Sequence, residues 1–317
     1  MADITHRAVQ TNGINVHIAE SGAGPLVLML HGWPESWYSW RHQLRALGDA
    51  GYHAVAPDVR GYGQSDKPHE IEAYSMKNMV ADAVGILDAL GEQTAVVVGH
   101  DWGAPMAWTC AALHPDRFRA VVGMSVPYSP RPPAPPTQLF KAMFGETFFY
   151  ILYFQEPGKA EAELERDVRR SMKLILYTAS GDAPPGMSGF AGKPKDSGLL
   201  DGIPEPEKLP PWLTEEDLDF YVREFERSGF RGPINRYRNM DRDWHELPEL
   251  ENKRITQPAL FIAGEKDGVI ALQSPENQRQ WIDNLKIVLL PGAGHWTQQE
   301  RPAEVNAELL AFLKGLG

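Results

Sequence analysis

One stretch, residues 95–103, constrains the fold of this chain more than any other. Its first four residues form an apolar run without polar alternation, which is typical of a strand buried on both faces of a parallel sheet. A tight turn follows, in which Asp101 stands between Gly99 and Gly103, and good helix formers come next. Glycine suits a turn where backbone crowds against backbone. We therefore predict a strand, a turn that presents Asp101, and a helix.

The rest of the chain predicts an α/β fold with a largely parallel sheet flanked by helices, because strand and helix signals alternate along it. The pattern opens with a hairpin turned at Asn12-Gly13. The further predicted strands are 25–30, 52–57, 95–98, 118–126, 258–263 and 286–290, and the predicted helices of this part are 37–47, 76–90, 104–113, 273–281 and 302–313.

The alternation is interrupted after Val126. Residues 131–136 are proline-rich and cannot form a helix or a central strand, so we interpret them as a stiff hinge. Helical patterns then cover 138–154, 160–177 and 215–228, with a long Pro/Gly-rich loop at 180–211. We therefore predict a core of residues 1–126 and 255–317 with an inserted helical lid at 127–254.

The composition limits the partners of this 317-residue chain. Its net charge of −11 argues against binding to nucleic acid or to an anionic membrane. No apolar run reaches membrane-spanning length, and the N-terminus lacks the apolar core of a signal peptide, so we expect a cytoplasmic protein without membrane insertion. The oligomeric state stays open, with a homodimer as one option.

Three residues that can carry chemistry follow predicted strands: Asp101, Asp267 and His295. Each has a simpler explanation by itself, as a helix cap, a turn residue and a surface histidine respectively. The carboxyl ends of parallel strands meet at one edge of the sheet, where ligands of open α/β sheets bind. The order nucleophile, acid, histidine is also the order of the α/β-hydrolase triad. The three together therefore indicate a catalytic site.

Asp in place of the usual serine at the turn changes the chemistry. A carboxylate with an ordinary pKa of about 4 is ionised at neutral pH, so Asp101 can attack a saturated carbon without a base and form an ester. His295, oriented by Asp267, would then activate a water that hydrolyses the ester. The oxyanion formed in that step needs two backbone N–H donors, which we expect from Trp102 and Trp33.

Nearly the whole chain resembles the epoxide hydrolases of the α/β-hydrolase fold, and most of all the hydrolase domain of soluble epoxide hydrolases. The resemblance rests on six segments: His31-Gly-Trp-Pro34, Gly99-His-Asp-Trp-Gly103, Tyr153-Phe-Gln-Glu-Pro-Gly158, Gly232-Pro-Ile-Asn-Arg-Tyr-Arg-Asn239, Glu265-Lys-Asp267 and Gly294-His-Trp296.

The resemblance implies a role for the lid. An epoxide that opens leaves an alkoxide, and a tyrosine hydroxyl can donate a hydrogen bond or a proton to it. By resemblance the two donors are Tyr153 and Tyr237, in preference to Tyr150 and Tyr221. The resemblance also implies Asp101 as nucleophile, a small apolar epoxide as substrate, a cis peptide bond before Pro34, and neither an organic cofactor nor a metal.

Two other functions remain open from the sequence. A haloalkane dehalogenase shares the fold and the Asp nucleophile, but members of that family typically carry Asn or Glu where Trp33 stands and lack the paired lid tyrosines. A noncatalytic receptor of the same fold would not need Asp101, Asp267 and His295 together. We favour epoxide hydrolysis because the site residues, and not the fold, decide between these functions.

Overall fold

The computed structural model describes residues 2–184, 187 and 189–316. Eight strands form one sheet in the order β1-β2-β4-β3-β5-β6-β9-β10. The β1–β2 and β2–β4 pairs are antiparallel and the remaining pairs are parallel, which confirms the mostly parallel sheet. The strands are β1 Thr5–Thr11, β2 Ile14–Ser21, β3 Leu26–Leu30, β4 His53–Pro57, β5 Ala95–His100, β6 Phe118–Met124, β9 Ala259–Gly264 and β10 Leu285–Leu290.

Helices cover both faces of this sheet, as the alternation predicts. They are α1 Arg41–Asp49, α2 Met76–Leu90, α3 Gly103–Leu113, α11 Gly268–Leu272, α12 Thr297–Glu300 and α13 Pro302–Lys314. Val97 of β5 packs into the cluster that holds α2 and α3, whereas Val96 and Val98 pack into the cluster that holds α1 and α13. The central strand is therefore apolar throughout because both of its faces are buried.

Local signals explain several element boundaries. The hairpin between β1 and β2 turns through Asn12 and Gly13, both with positive φ, which is the backbone that an Asn-Gly turn adopts. Helix α2 begins where Ser75 accepts a hydrogen bond from the Asn78 N–H, and it ends at Gly91 in the left-handed conformation. Helix α1 is preceded by a 3₁₀ turn, Trp37–Trp40.

The segment between β6 and β9 contains helices and one small antiparallel sheet, formed by β7 Thr147–Phe149 and β8 Ala191–Pro194. Its helices are α4 Pro136–Phe144, α5 Tyr150–Tyr153, α6 Lys159–Leu164, α7 Val168–Thr178, α8 Glu215–Ser228, α9 Arg231–Arg238 and α10 Met240–Glu246, and it contains the 3₁₀ turn Pro248–Leu250. Further 3₁₀ turns lie outside this segment, at Ile71–Tyr74 and Pro275–Gln280. The lid boundaries at 127 and 254 stay a prediction.

Three predicted helices are wrong in extent. The helix predicted for 138–154 ends at Phe144, because Gly145 turns the chain with a φ of 55° and strand β7 follows. The helix predicted for 160–177 is two helices, since Asp167 caps a new one. The helix predicted for 273–281 is a 3₁₀ turn that follows α11. Within the predicted loop 180–211, residues 185, 186 and 188 lie outside the described residues.

Candidate active site

The turn after β5 presents Asp101 at the carboxyl edge of the sheet. Asp101 has a φ of 49°, a left-handed conformation that costs a non-glycine residue energy and that recurs at functional sites. A Cβ on Gly99 would lie 1.9 Å from the carbonyl oxygen of Gly103, so the turn can close only with glycine there. The strand, the turn and the helix that follows confirm the predicted local structure.

Asp267 and His295 lie beside Asp101, as the sequence predicts. His295 Nε2 is 3.5 Å from Asp101 Oδ2, and His295 Nδ1 is 3.2 Å from each oxygen of Asp267. Asp267 is the N-cap of α11 and its Oδ1 accepts a hydrogen bond from the Val269 N–H. The imidazole therefore spans the two carboxylates, with one ring nitrogen toward each.

The charges of the two carboxylates act on the imidazole. Burial lowers the pKa of His295, but the charge of Asp267 and the hydrogen bonds that the imidazole donates to both carboxylates outweigh it, so the pKa is well above its ordinary value. Burial raises the pKa of Asp267, yet His295 and the hydroxyl of Ser125 hold it below its ordinary value. The free site therefore favours a protonated imidazole beside an ionised Asp267.

Ser125 is a site residue that the sequence analysis missed. It follows β6 with a φ of 70° and is fully buried. Its hydroxyl hydrogen-bonds Asp267 Oδ2 and lies 2.8 Å from Nδ1 of His295. The signal that could have found it is a polar residue directly after a buried parallel strand, at the same edge of the sheet as Asp101.

The loop after β3 supplies a backbone donor to the nucleophile. The Trp33 N–H donates a hydrogen bond of 2.7 Å to Asp101 Oδ1. A Cβ on Gly32 would lie 2.3 Å from the same oxygen, so this approach requires glycine. The Trp33–Pro34 peptide bond is cis, as the resemblance implies. Trp102 directly follows Asp101 and caps α3; the part of its own N–H as a donor stays a prediction.

A second buried carboxylate–histidine pair, Glu35 and His100, ties these loops together. His100 Nδ1 is 2.7 Å from Glu35 Oε2, and His100 Nε2 is 2.7 Å from the carbonyl oxygen of His295. The same Glu35 oxygen accepts a hydrogen bond from the Gly32 N–H. These hydrogen bonds thus connect the loop after β3, strand β5 and the loop that contains His295. The sequence did not single out either residue, although His100 lies within the segment Gly99-His-Asp-Trp-Gly103 and Glu35 directly follows His31-Gly-Trp-Pro34.

Two tyrosines of the segment between β6 and β9 lie over Asp101: Tyr237 of α9 and Tyr150 of α5. Their ring centroids are 5.7 Å apart with the planes at 77°, so the two side chains are in contact. Burial, followed by the charge of Asp101 among other groups, raises the pKa of both hydroxyls. Both tyrosines are therefore neutral donors at physiological pH, close enough to sense the charge of the nucleophile.

The expectation that Tyr153 is the partner of Tyr237 is wrong in this structure. The Tyr153 hydroxyl donates a hydrogen bond of 2.7 Å to Glu163, which also accepts from the backbone N–H groups of Leu199 and Leu200. Burial and then Glu163 raise the pKa of Tyr153, and the further charges acting on it are those of Asp201 and Glu156. Tyr153 therefore fastens the 199–200 loop and does not face Asp101.

The break in the predicted helix accounts for this correction. The chain leaves β7 at Phe149, and α5 begins at Tyr150, whose N–H donates to the Phe190 carbonyl. The pairing of β7 with β8 thus sets where the first turn of α5 starts. Tyr150, at the beginning of that turn, points to the site, whereas Tyr153, at its end, points to Glu163.

Within the described ranges, no group of three or more His, Cys, Asp or Glu side chains could hold a metal ion. Among the same residues, no helix combines the length and the apolar character that crossing a membrane would require.

The chain is similar to known proteins over nearly its whole length. Residues 25–302 match the family model described as the alpha/beta hydrolase fold. The chain is 50% identical to "Epoxide hydrolase A" of Mycobacterium tuberculosis, with 98% of each chain covered. It is 40% identical to "Bifunctional epoxide hydrolase 2" of Rattus norvegicus, where the match covers 98% of this chain and 56% of the rat protein.

A solved structure titled "Epoxide hydrolase from an endophytic Streptomyces" superimposes with a TM-score of 0.96 at 49% sequence identity. The match covers 99% of this chain and 96% of the Streptomyces protein. The similarity therefore extends over the core, the inserted segment and the site alike.

Proposed function

Since the chain belongs to the epoxide hydrolases of the α/β-hydrolase fold, we propose that it converts an apolar epoxide and water into a vicinal diol through an ester on Asp101. The contact of Tyr150 with Tyr237, both close enough to Asp101 for its charge to raise their pKa values, carries this proposal. A leaving alkoxide needs an acid, whereas a leaving halide needs only N–H donors.

The first half-reaction opens the epoxide. Asp101 Oδ1 is held by the Trp33 N–H, so the oxygen that attacks an epoxide carbon is Oδ2, which lies 3.5 Å from His295 Nε2. The carbon–oxygen bond of the ring breaks as the new ester bond forms, and the electron pair moves to the epoxide oxygen. No base is required for this step, because the attacking carboxylate is already ionised.

Tyr150 and Tyr237 assist the ring opening. Their hydroxyls donate hydrogen bonds to the epoxide oxygen, and one of them transfers its proton to the developing alkoxide. The interaction is stronger in the transition state than in the ground state, because the charge on oxygen develops only as the ring opens. Residues 127–254, which contain both tyrosines, form the lid of the site in this proposal.

The second half-reaction hydrolyses the ester. His295 Nε2 takes a proton from a water that attacks the carboxyl carbon of Asp101, while Asp267 and Ser125 hold the other ring nitrogen. The oxyanion then develops on Oδ1, in reach of the Trp33 N–H, and the Trp102 N–H is the second donor. Collapse of this intermediate breaks the bond between the carboxyl carbon and the diol oxygen, and the protonated His295 gives its proton to that leaving oxygen. The remaining proton of the water returns to the tyrosine that protonated the first alkoxide, so the diol leaves and the carboxylate of Asp101 is restored.

The aromatic surroundings of the tyrosines favour an apolar substrate. The Trp33 ring packs against Phe154 with centroids 5.1 Å apart, and Tyr237 packs against Phe154 at 5.0 Å and Trp102 at 5.1 Å. Rings of this kind surround an aryl or alkyl group well and offer few partners to a polar one. We therefore propose aryl and alkyl epoxides as the substrate class.

Two parallel incubations test the proposed function. Styrene oxide should give its diol, and 1-bromobutane should give no bromide above the rate without enzyme. Bromide release without diol formation would identify a dehalogenase. Turnover of neither substrate, nor of a longer alkyl epoxide, would contradict the proposed substrate class.

A further inference from the structure

One buried cation beside the site takes no part in the mechanism proposed above. Arg236 immediately precedes Tyr237 in α9, and only 2% of its surface is exposed. Its guanidinium carbon lies over the ring of Trp102, 4.7 Å from the centroid. A full charge therefore rests on the face of the aromatic side chain that directly follows the nucleophile.

The guanidinium is held in place from two sides. One terminal nitrogen donates to the carbonyl oxygen of Tyr74 and the other to Asp243, while Nε is buried without a partner among the described residues. Burial lowers the pKa of Arg236 to about 9, so the group still carries its charge at neutral pH. Burying a cation whose hydrogen bonds are incompletely satisfied costs free energy of folding.

Trp102 joins this cation to the lid tyrosine. Its ring meets Tyr237 edge-on, with centroids 5.1 Å apart and planes at 87°. Burial raises the pKa of Tyr237, and hydrogen bonding by the Trp102 side chain acts in the opposite direction. An indole N–H can only donate, so Tyr237 is the acceptor. A cation on the face of the indole draws electron density from the ring. The indole N–H becomes a stronger donor, and a phenol that accepts a stronger hydrogen bond gives up its own proton more readily.

We propose that Arg236 is a positioning residue for ring opening, which acts through Trp102 to hold and polarise the hydroxyl of Tyr237. The inference rests on the proposed role of Tyr237 as a donor to the epoxide oxygen. It predicts that Arg236 matters for alkylation of Asp101 and not for hydrolysis of the ester, because only the first step uses the tyrosine.

The groups that face this chain of contacts are the same in every variant below. Asp101, Tyr62 and Tyr150 act on Tyr237, and Tyr62 also acts on Arg236. Any change in ring opening between the variants therefore follows from the cation itself, or from the loss of its contacts with Asp243 and the Tyr74 carbonyl. Two substitutions separate these causes.

The first experiment measures the ring-opening rate constant by stopped flow with saturating styrene oxide. Arg236→Met removes the cation and should slow ring opening about tenfold, with ester hydrolysis changed less than about twofold. Arg236→Lys keeps a cation on the ring and should recover most of the loss. Asp243→Asn breaks the same ion pair but keeps the guanidinium over Trp102, so ring opening should stay near the wild-type rate.

A double-mutant cycle with Tyr237→Phe completes the test. In that background Arg236→Met should have no further effect on ring opening, because the hydroxyl through which Arg236 acts is gone. An equal loss in Asp243→Asn, or an undiminished loss in the Tyr237→Phe background, would overturn the inference and assign Arg236 a merely structural part. Wild-type turnover without an ester on Asp101 would instead overturn the proposed function, and this inference with it.

Discussion

The backbone N–H of Trp33 donates a 2.7 Å hydrogen bond to Asp101 Oδ1, so one oxygen of the nucleophile already accepts a backbone hydrogen bond before any substrate binds. That oxygen remains the carbonyl of the ester and becomes the oxyanion when water attacks. The Trp33 N–H therefore stabilises mainly the transition state of the second half-reaction, because negative charge develops there on the oxygen to which it already donates.

Gly32→Ala tests this contact, since a backbone donor cannot itself be substituted. The new Cβ would lie 2.3 Å from Asp101 Oδ1, so the loop must shift away from the nucleophile. Loss of one oxyanion donor should slow ester hydrolysis about a hundredfold, measured in single turnovers. Gly268→Ala is the matched control, because a Cβ there meets open space near Asp267. Equal rates in both variants would contradict the role of Trp33.

The hydroxyls of Tyr150 and Tyr237 should each contribute to the rate of the first half-reaction. Tyr150→Phe or Tyr237→Phe should slow alkylation of Asp101 about ten- to a hundredfold, since each removes a hydrogen bond to a developing charge worth roughly 1.5–3 kcal/mol. The double variant should lose more than either single one. Pre-steady-state alkylation rates provide the measurement.

Tyr153→Phe is the matched control for the two tyrosine variants. It should alkylate at the wild-type rate and lower the free energy of unfolding by about 1 kcal/mol, because it removes only the hydrogen bond to Glu163. A slow Tyr153→Phe beside a fast Tyr150→Phe would restore the assignment made from the sequence.

His295→Gln should stop the reaction at the ester. Asp101 needs no base for its attack, so the variant should still react with the epoxide, whereas water activation is lost. Intact-protein mass spectrometry should show the chain heavier by one substrate. A folded variant that forms no adduct would give His295 a part in ring opening itself.

Neutralising Asp101 should lower the pKa of His295. Both carboxylates raise that pKa, and either esterification or Asp101→Asn removes one of the two charges. The imidazole then loses its proton at a lower pH and becomes an available base once the ester has formed. Histidine NMR titration of Asp101→Asn and the wild type gives the comparison. An unchanged or higher pKa in the variant would contradict this account of the second step.

Strands and motif residues could be predicted from the sequence because their signals are local. The apolar run before Gly99 and the Asn-Gly turn at residues 12 and 13 each indicate one backbone conformation whatever the rest of the chain does. The positions of Asp101, Asp267 and His295 follow from the same logic, since each lies in the loop that follows a parallel strand of one sheet.

The choice between Tyr150 and Tyr153 could not be made in this way. It depends on where a short helix begins, and that point is set by the pairing of β7 with β8, whose partners lie far apart in the chain. Arg236 illustrates the same limit, because its contact with Trp102 joins α9 to the nucleophile turn. Contacts between distant segments leave no periodic signal in either segment.

A single turnover in ¹⁸O-water, with enzyme in excess over styrene oxide, tests the ester on Asp101 most directly. If Asp101 attacks the epoxide and water attacks the resulting ester, the label enters the carboxylate of Asp101 and the first diol carries none. Mass spectrometry of the peptide that contains Asp101 and of the diol reports both. A labelled diol beside an unlabelled peptide would mean that water attacks the epoxide directly, which contradicts the covalent mechanism.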